Sequence, residues 1–483
     1  MDKNKRKLPI YKAIGYILLL IYVLAAVCLL FFVFALGMIP TQYIIIAAVV
    51  MAIFAVIFAI MHERKIPSII ASVLTVILTA VYVIGAVYIG KTNNTISDVT
   101  TAEVQTDVVS MYVMDDDPAQ TVNDAANYEI GIMSSVDREN TDKTIDSIES
   151  QLGSQLNIQE YNTMFDLADA LKSGEVGAII INEAYVGIIG DVENYEWMTT
   201  DIRQITTVEH AVESSPEADA EVSDETQNTF VMYLSGIDTY GGISARSRSD
   251  VNILAVVNTD TKNILLLSTP RDFYVDYSVT GGAKDKLTHA GIYGIDASID
   301  ALERLYDIDV NYYLRINFTG FMDVIDALGG ISVYSDYEFT VNNVKTFQQG
   351  YNDVNGREAL AFARERYSFA DGDYQRGRNQ MEVIRAVINK AASSSLLVNY
   401  TSVMDAIAGS FETNMPRSQI AALVRMQLSD MAQWNITSYT SSGQSMYAET
   451  FSMPGQDLYV IVPDENSIAE AKEQINAVLS GEQ

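Results

Sequence analysis

The sequence predicts an α/β protein in three parts: three N-terminal transmembrane helices, a small α/β accessory domain, and a larger α/β domain with a central mixed sheet flanked by helices. Three observations predict it. The first 90 residues are dominated by long apolar runs. The rest alternates short apolar strand patterns with helical periodicities. One acidic stretch, poor in apolar residues, divides that remainder. A chain of 483 residues has room for two or three domains.

No residue between Lys12 and His62 is charged. The run breaks at "MIPTQ", where Pro40, Thr41 and Gln42 mark a turn, so it reads as two spans, 14–36 and 43–61. A third covers 68–89. Each is close to the ~20 apolar residues a bilayer crossing needs. A cleaved signal peptide fits poorly: the first apolar core is too long, it has no small-residue cleavage site, and two more spans follow. "KNKRK" precedes the first span and "HERK" separates the second from the third. Basic loops stay in the cytoplasm, which places the "MIPTQ" turn and everything after Lys91 outside. The expected location is the cell membrane, multi-pass, with the large C-terminal region extracytoplasmic. The expected organisation is 1–90 for the N-terminus and spans, 91–212 for the accessory domain, 213–229 for an acidic linker and 230–483 for the larger domain.

Lys and Arg number 31 against 62 Asp and Glu, a net charge of -31. Only two acids, Asp2 and Glu63, precede residue 91, so the acidic excess belongs to the outer region. Nucleic acid wants a basic face, and such a surface argues against it as a partner. The one cysteine, Cys28, lies in the first span. The outer region therefore has no disulfides and must be held by a hydrophobic core, as on the surface of a Gram-positive type of bacterium. Three histidines (His62, His210, His289) and no CxxC make a zinc site a poor expectation.

In the accessory domain "VVSMYVM" and "YEIGIMSS" read as strands. "TDKTIDSIESQLG" reads as a helix started by Thr141 or Asp142, "MFDLADALKSG" as a helix closed by Gly174, and "VGAIIIN" as a buried strand. No chemistry is evident there; Asp115, Asp116 and Asp117 read as a solvated acidic turn. "ESSPEADAEVSDETQN" has the composition of a linker.

The larger domain opens with the apolar run "TFVMYLSGID". "DVNILAVVNTDTKNILLLSTPRD" then folds as two strands about a turn near Asp260. Asp250 and Arg271 are nearly equidistant from that turn, so a hairpin sets them opposite each other at one end of the sheet. Asp238 reaches the same end if its strand lies antiparallel to the one starting at Val251. Arg248, two residues before Asp250, points to the same side in an extended chain. "VNYYLRIN", "FTGFMDVIDALGG" and "ISVYS" give a β–α–β pattern with a glycine cap at Gly329 or Gly330.

"FARERYSFADGDYQRGRNQ" gathers four arginines in an acidic chain. A surface helix laced with ion pairs would explain it, since Glu365, Asp371 and Asp373 lie among them. If "FARERY" is extended, Arg364 and Arg366 share a face. Asp373 can cap a helix through "YQRGRNQMEVIRAVINKA", on which Arg376 and Gln380 lie on one face and Arg378 points elsewhere. Ile384 and Val387 continue the inner side. Asp238 and Asp250 then form a candidate cation pair, surrounded by Arg248, Arg271, Arg364, Arg366, Arg376 and Gln380. Two carboxylates with waters suit Mg²⁺, with Mn²⁺ the alternative, and arginines suit phosphate oxygens. The implied chemistry is phosphoryl transfer by positioning and charge stabilisation.

"SGIDTYGGISARSRSDVNILAVVN", "LLLSTPRD", "KDKLTHAGIYG" and "FARERYSFADGDYQRGRNQ" together resemble the LytR–CpsA–Psr (LCP) family, and the three spans with the following α/β segment resemble its capsule-associated CpsA branch. The resemblance implies transfer of a glycopolymer, expected to be capsular polysaccharide, from a polyprenyl-pyrophosphate carrier to peptidoglycan outside the membrane. It implies that Asp238 and Asp250 serve Mg²⁺. Arg248, Arg271, Arg364 and Arg366 would hold the pyrophosphate, Arg376 and Gln380 would complete the site, and the lipid tail would lie in an apolar cavity. Lys286 is a possible phosphate contact; His289 reads as a structural hydrogen-bonding residue. Two other functions fit the same residues: a protein that binds the lipid-linked polymer and regulates its synthesis, and a pyrophosphatase acting on the same lipid. The carboxylate pair favours the enzyme, because a metal bridging a pyrophosphate helps the leaving group depart.

Overall fold

A computed structural model describes residues 9–100, 105–212, 227–237, 245–393, 400–407 and 411–482. Nearly all of the linker and the segment carrying Asp238 lie outside the described residues.

Three apolar helices open the chain: α1 (Ile10–Leu36), α2 (Thr41–Met61) and α3 (Lys65–Thr100). Each is long and apolar enough to cross a membrane, α3 over Lys65–Thr92. α1 stops where Gly37 adopts φ 73°, a left-handed conformation that glycine takes without a Cβ clash. Pro40, which cannot continue a helix from its N-terminal side, starts α2.

The accessory domain is a five-stranded sheet ordered β3-β2-β4-β1-β5. Its elements are β1 (Thr106–Met114), β2 (Glu129–Met133), α4 (Arg138–Leu152), β3 (Asn157–Tyr161), α5 (Met164–Ser173), β4 (Ala178–Asn182), α6 (Glu183–Gly190) and β5 (Ile202–Ala211). β4 is buried at every residue, as "GAIIIN" implies for a central strand covered on both faces. α5 ends at Gly174 as its sequence predicts. α4 starts three residues before Thr141, because Asp137 turns in the left-handed region (φ 48°) and Thr141 is a buried interior position. β3 and β5 have no buried residue, carry no strong strand signal in the sequence, and form the sheet's edges.

The larger domain is built on a six-stranded mixed sheet. β6 (Thr229–Ile237), β7 (Ser249–Asn258) and β8 (Asn263–Ser268) are antiparallel neighbours. The short pair β9 (Tyr274–Val275) and β10 (Asp285–Lys286) follows, then α7 (Leu287–Ala290) and α8 (Ile295–Tyr306). β11 (Tyr312–Ile316) joins the sheet parallel to β6, and α9 (Phe318–Ala327) is capped by the Asn317 side chain. Beyond α9, Gly329 and Gly330 both take positive φ. "ISVYS" is β12 (Ile331–Ser335), but it does not join the central sheet. It pairs with β15 (Gly350–Val354) beside the small hairpin of β13 (Phe339–Val341) and β14 (Lys345–Phe347). The two helices α10 (Gly356–Arg364) and α11 (Asp373–Ala391) follow. β16 (Phe411–Thr413) and β17 (Asn435–Thr440) complete the edges of the central sheet.

Strands β6–β8 are apolar at nearly every position because both faces are covered. One set of side chains (Val231, Tyr233, Leu254, Leu267) packs with Ala301 and Leu302 of α8 and Ile475 of the last helix, Glu465–Ser480. The alternate set (Phe230, Ile253, Ala255, Leu266) packs with Met381 of α11. Each fully buried leucine or isoleucine contributes roughly 1.5–3 kcal/mol. The sheet is thus a rigid platform whose strand ends can hold charged groups.

Among the described residues, several contacts join the parts. Arg425, on the helix Arg417–Asp430, donates through Nε to the Gly37 carbonyl at 2.7 Å, and Ala421 packs with Leu36 and Met38. The larger domain therefore rests on the α1–α2 turn. The accessory domain inserts its core against Ile292, Met453 and Leu458 of the larger domain.

Candidate active site

The β7–β8 register pairs Ile253 with Ser268 and Asn258 with Asn263, and its continuation sets Asp250 opposite Arg271. Arg271 Nη1 donates to both Asp250 oxygens, at 3.0 and 3.1 Å. β6 lies antiparallel to β7, with Gly236 opposite Val251 and a bulge before Ile237, so the chain leaves β6 at this same end. Asp238 itself lies outside the described residues.

"THAG" supports the strand ends from behind. The Thr288 hydroxyl donates to Asp250 Oδ1 at 3.1 Å, and its backbone N–H donates to the Arg271 carbonyl at 2.8 Å. A Cβ on Gly291 would come within 2.5 Å of the Ser247 carbonyl oxygen and 2.8 Å of the Ser249 nitrogen, so only glycine lets this turn press on the segment carrying Arg248. His289 is structural: buried, with Nδ1 2.7 Å from Asp285 Oδ1. Asp285 also accepts from the Tyr277 hydroxyl at 3.0 Å and the Ser452 N–H at 3.0 Å. Lys286 donates to Asp272 Oδ1 at 2.9 Å.

The first turns of α11 cross the end of β8. A Cβ at Gly377 would lie 2.7 Å from the Ser268 hydroxyl, so the helix sits nearly on the strand. Arg376 and Gln380 consequently line one cleft with Asp250, Arg271 and Asp373. Asp373 is not the N-cap, which is Gly372 at φ 42°; it sits in the first turn, 2.7 Å from Arg376 Nη2. Arg378 points away and pairs with Asp371 and with Gln375 Oε1.

"FARERY" is not extended. Asn355 and Glu358 form a reciprocal capping box, and Ala359, Phe362 and Ala363 bury one side, which carries α10 through Arg364. Glu365, which follows the helix, is extended. Arg364 and Arg366 therefore do not share a strand face. Arg364 stacks 4.3 Å from the Phe318 ring and Arg366 4.8 Å from the Tyr367 ring.

Burial would raise the Asp250 carboxyl, but the guanidiniums of Arg271, Arg248 and Arg376 outweigh it and hold the group far below the usual carboxylate range. Asp272 is also lowered: burial is overcome by Lys286 and Arg271. Asp373 goes the other way, raised by burial that Arg376 and Arg271 only partly offset. Among the described residues no three His, Cys, Asp or Glu side chains form a metal cluster. Asp250 fits one Mg²⁺ ligand, being firmly ionised; Mg²⁺ needs few protein oxygens when water and phosphate supply the others.

Four residues at or beside the site have roles that the sequence does not signal. Thr288 lies in "KDKLTHAGIYG" next to a more conspicuous histidine. Asp272 follows Arg271 directly. Asp373 reads as a helix cap from sequence. Asp191, from the accessory domain, has no signal in the sequence: its Oδ2 accepts from Arg248 Nη1 and, at 3.1 Å, from Arg271 Nη1.

The LytR_cpsA_psr family model matches residues 197–477, more than half of the chain. The chain belongs to this family. LCP relatives include a Bacillus cereus (strain ATCC 14579) protein named polyisoprenyl-teichoic acid–peptidoglycan teichoic acid transferase TagU. It is 37% identical over 188 residues, 39% of this chain and 60% of that protein. The Bacillus subtilis (strain 168) protein of the same name is 31% identical over 212 residues, 44% of this chain and 68% of the relative. The Bacillus licheniformis one is 29% identical over 281 residues, 56% and 86%. The match to the B. cereus relative thus spans under two thirds of its length. Among solved structures, Bacillus subtilis TagV aligns at 26% identity over 53% of this chain and 99% of its own, with a TM-score of 0.45. TagT bound to LI-WTA aligns at 28% identity over 53% and 92%, with a TM-score of 0.42.

Proposed function

We propose that this LCP protein is a membrane-anchored phosphotransferase. It moves a glycopolymer, capsular polysaccharide in our reading, from a polyprenyl-pyrophosphate carrier to peptidoglycan on the outer face of the membrane. The observation that carries the reading is the convergence of Arg271, Arg248 and Arg376 on Asp250, at the end of a rigid sheet in a family whose named relatives are polyisoprenyl-linked polymer transferases.

In this reading the arginines take the pyrophosphate oxygens, with Arg364 and Arg366 joining them from outside the residues that line the cleft. Buried guanidiniums stabilise charge that grows on the leaving phosphate without having to reorganise. Asp250 and Asp238 would hold Mg²⁺, which would supply further charge neutralisation. The acceptor hydroxyl oxygen bonds to the sugar-proximal phosphorus, the bond from that phosphorus to the bridging oxygen breaks, and polyprenyl phosphate departs with that electron pair and takes up the hydroxyl proton. The larger domain rests on the same turn that the basic-loop pattern assigns to the outside, which supports the extracytoplasmic placement.

The test uses the full chain in detergent with a geranylgeranyl-pyrophosphate-linked oligosaccharide and soluble peptidoglycan fragments. Mg²⁺-dependent release of geranylgeranyl phosphate that requires the acceptor supports transfer. Release with water alone identifies a pyrophosphatase, and tight binding without release identifies a holding or regulatory protein.

A further inference from the structure

The accessory domain reaches the arginines of the site with one carboxylate. Asp191 follows the last residue of α6, and its Oδ2 accepts from both Arg248 and Arg271. Three features show that this contact is built. A Cβ at Gly187 would lie 2.9 Å from Arg248 Nη2, so α6 comes as close to the guanidinium as glycine permits. The Asp191 N–H bonds the Gly187 carbonyl, which puts the carboxylate at a helix C-terminus, where the dipole disfavours negative charge. The arginines, not the helix, therefore hold it there. Finally, the Asp191 side chain is 38% exposed while those of Arg248 and Arg271 are 10% and 8% exposed. The acid is the member of the cluster that can swing into water; the arginines are fixed.

We infer that Asp191 is a displaceable internal anion, standing where a pyrophosphate oxygen binds between Arg248 and Arg271. The inference rests on the proposed pyrophosphate-binding role of this site. One guanidinium pair cannot serve both anions fully, so the lipid pyrophosphate must expel Asp191 to bind. Expulsion releases α6 from the larger domain at that point. The accessory domain thereby becomes a sensor of site occupancy: its α6 end is docked on an empty site and undocked on a loaded one. A neutral side chain at 191 removes the competitor and the coupling together.

The experiment titrates full-length wild type, Asp191→Asn and Arg271→Ala with farnesyl pyrophosphate at fixed salt and Mg²⁺, and follows amide hydrogen exchange in residues 183–191. The expected result is loss of binding in Arg271→Ala and at least threefold tighter binding in Asp191→Asn. Exchange in α6 should rise on ligand addition in wild type and be high and ligand-independent in Asp191→Asn. Unchanged or weaker binding by Asp191→Asn, or no ligand-linked exchange in wild-type α6, would overturn the displaceable anion while leaving the site reading intact if Arg271→Ala has lost binding. Equal binding by wild type and Arg271→Ala would overturn both.

Discussion

Arg271 bonds both oxygens of Asp250 from a single Nη1, at 3.0 and 3.1 Å, across the open end of the β7–β8 hairpin. Neither residue is in the hydrophobic core, yet both are largely withdrawn from water. The pair therefore bears on stability as well as on the proposed recognition of phosphate. Removing the carboxylate leaves a buried guanidinium that still has Asp191 and Asp272 nearby.

Asp250→Asn should destabilise the protein by about 1–3 kcal/mol, the range for a buried group that loses its partner. The folded carboxyl lies below its unfolded value, so the stability it contributes is present above the unfolded pKa of ~3.9 and is lost as the pH falls through that value toward the folded one. Thermal unfolding of both proteins between pH 8 and pH 3 checks this. The gap in Tm should be constant down to about pH 5 and narrow below about pH 4. A gap that closes near pH 6 would show that another group titrates.

The pairing of Asp250 with Arg271 was legible because a hairpin counts residues: equal distance from a turn fixes register. The spans were legible from apolar length. "FARERY" departs from the extended form that its alternating arginines suggest, because the Asn355–Glu358 capping box upstream makes the passage a helix end. Asp191 was not legible by any rule of spacing. Its place depends on how two separately folded sheets dock, through contacts such as Met453 and Leu458 against the accessory core.

Gly291→Ala should disturb the site from behind. The new methyl would meet backbone atoms of Ser247 and Ser249, which cannot rotate away. Overpacking of this kind costs typically 1–3 kcal/mol. The expected outcome is a lower Tm together with at least fivefold weaker binding of farnesyl pyrophosphate, because the displaced segment carries Arg248. Wild-type affinity in a destabilised Gly291→Ala would separate the motif from the site.

Orientation can be read with one cysteine. Tyr351 is 77% exposed on β15, and Cys28 is the sole native thiol. In a Cys28→Ser background, Tyr351→Cys should react with a membrane-impermeant maleimide on intact cells. Labelling only after lysis would place the larger domain inside and reject the three-span topology.

The arginines of "FARERYSFADGDYQRGRNQ" should separate by role. Arg376 is 10% exposed at the side chain, pairs with Asp373 and faces the cleft with Asp250, whereas Arg378 is 37% exposed and pairs with Asp371. A charge-assisted hydrogen bond to a buried phosphate oxygen contributes about 1.5–3 kcal/mol, a factor of ten or more in affinity. Arg376→Ala should therefore weaken farnesyl pyrophosphate binding at least tenfold, and Arg378→Ala by less than twofold, as for a solvated ion pair. Arg364 and Arg366 lie over the Phe318 and Tyr367 rings, and the proposed function assigns both to the phosphate. Alanine at either should cost at least tenfold, and lysine should restore only part, because an ammonium neither stacks in the same way nor offers a paired fork. The measurement is one titration series at fixed salt and Mg²⁺. Four small and similar losses would make the stretch a charged surface, and the phosphate oxygens would then have to be held by Arg248 and Arg271.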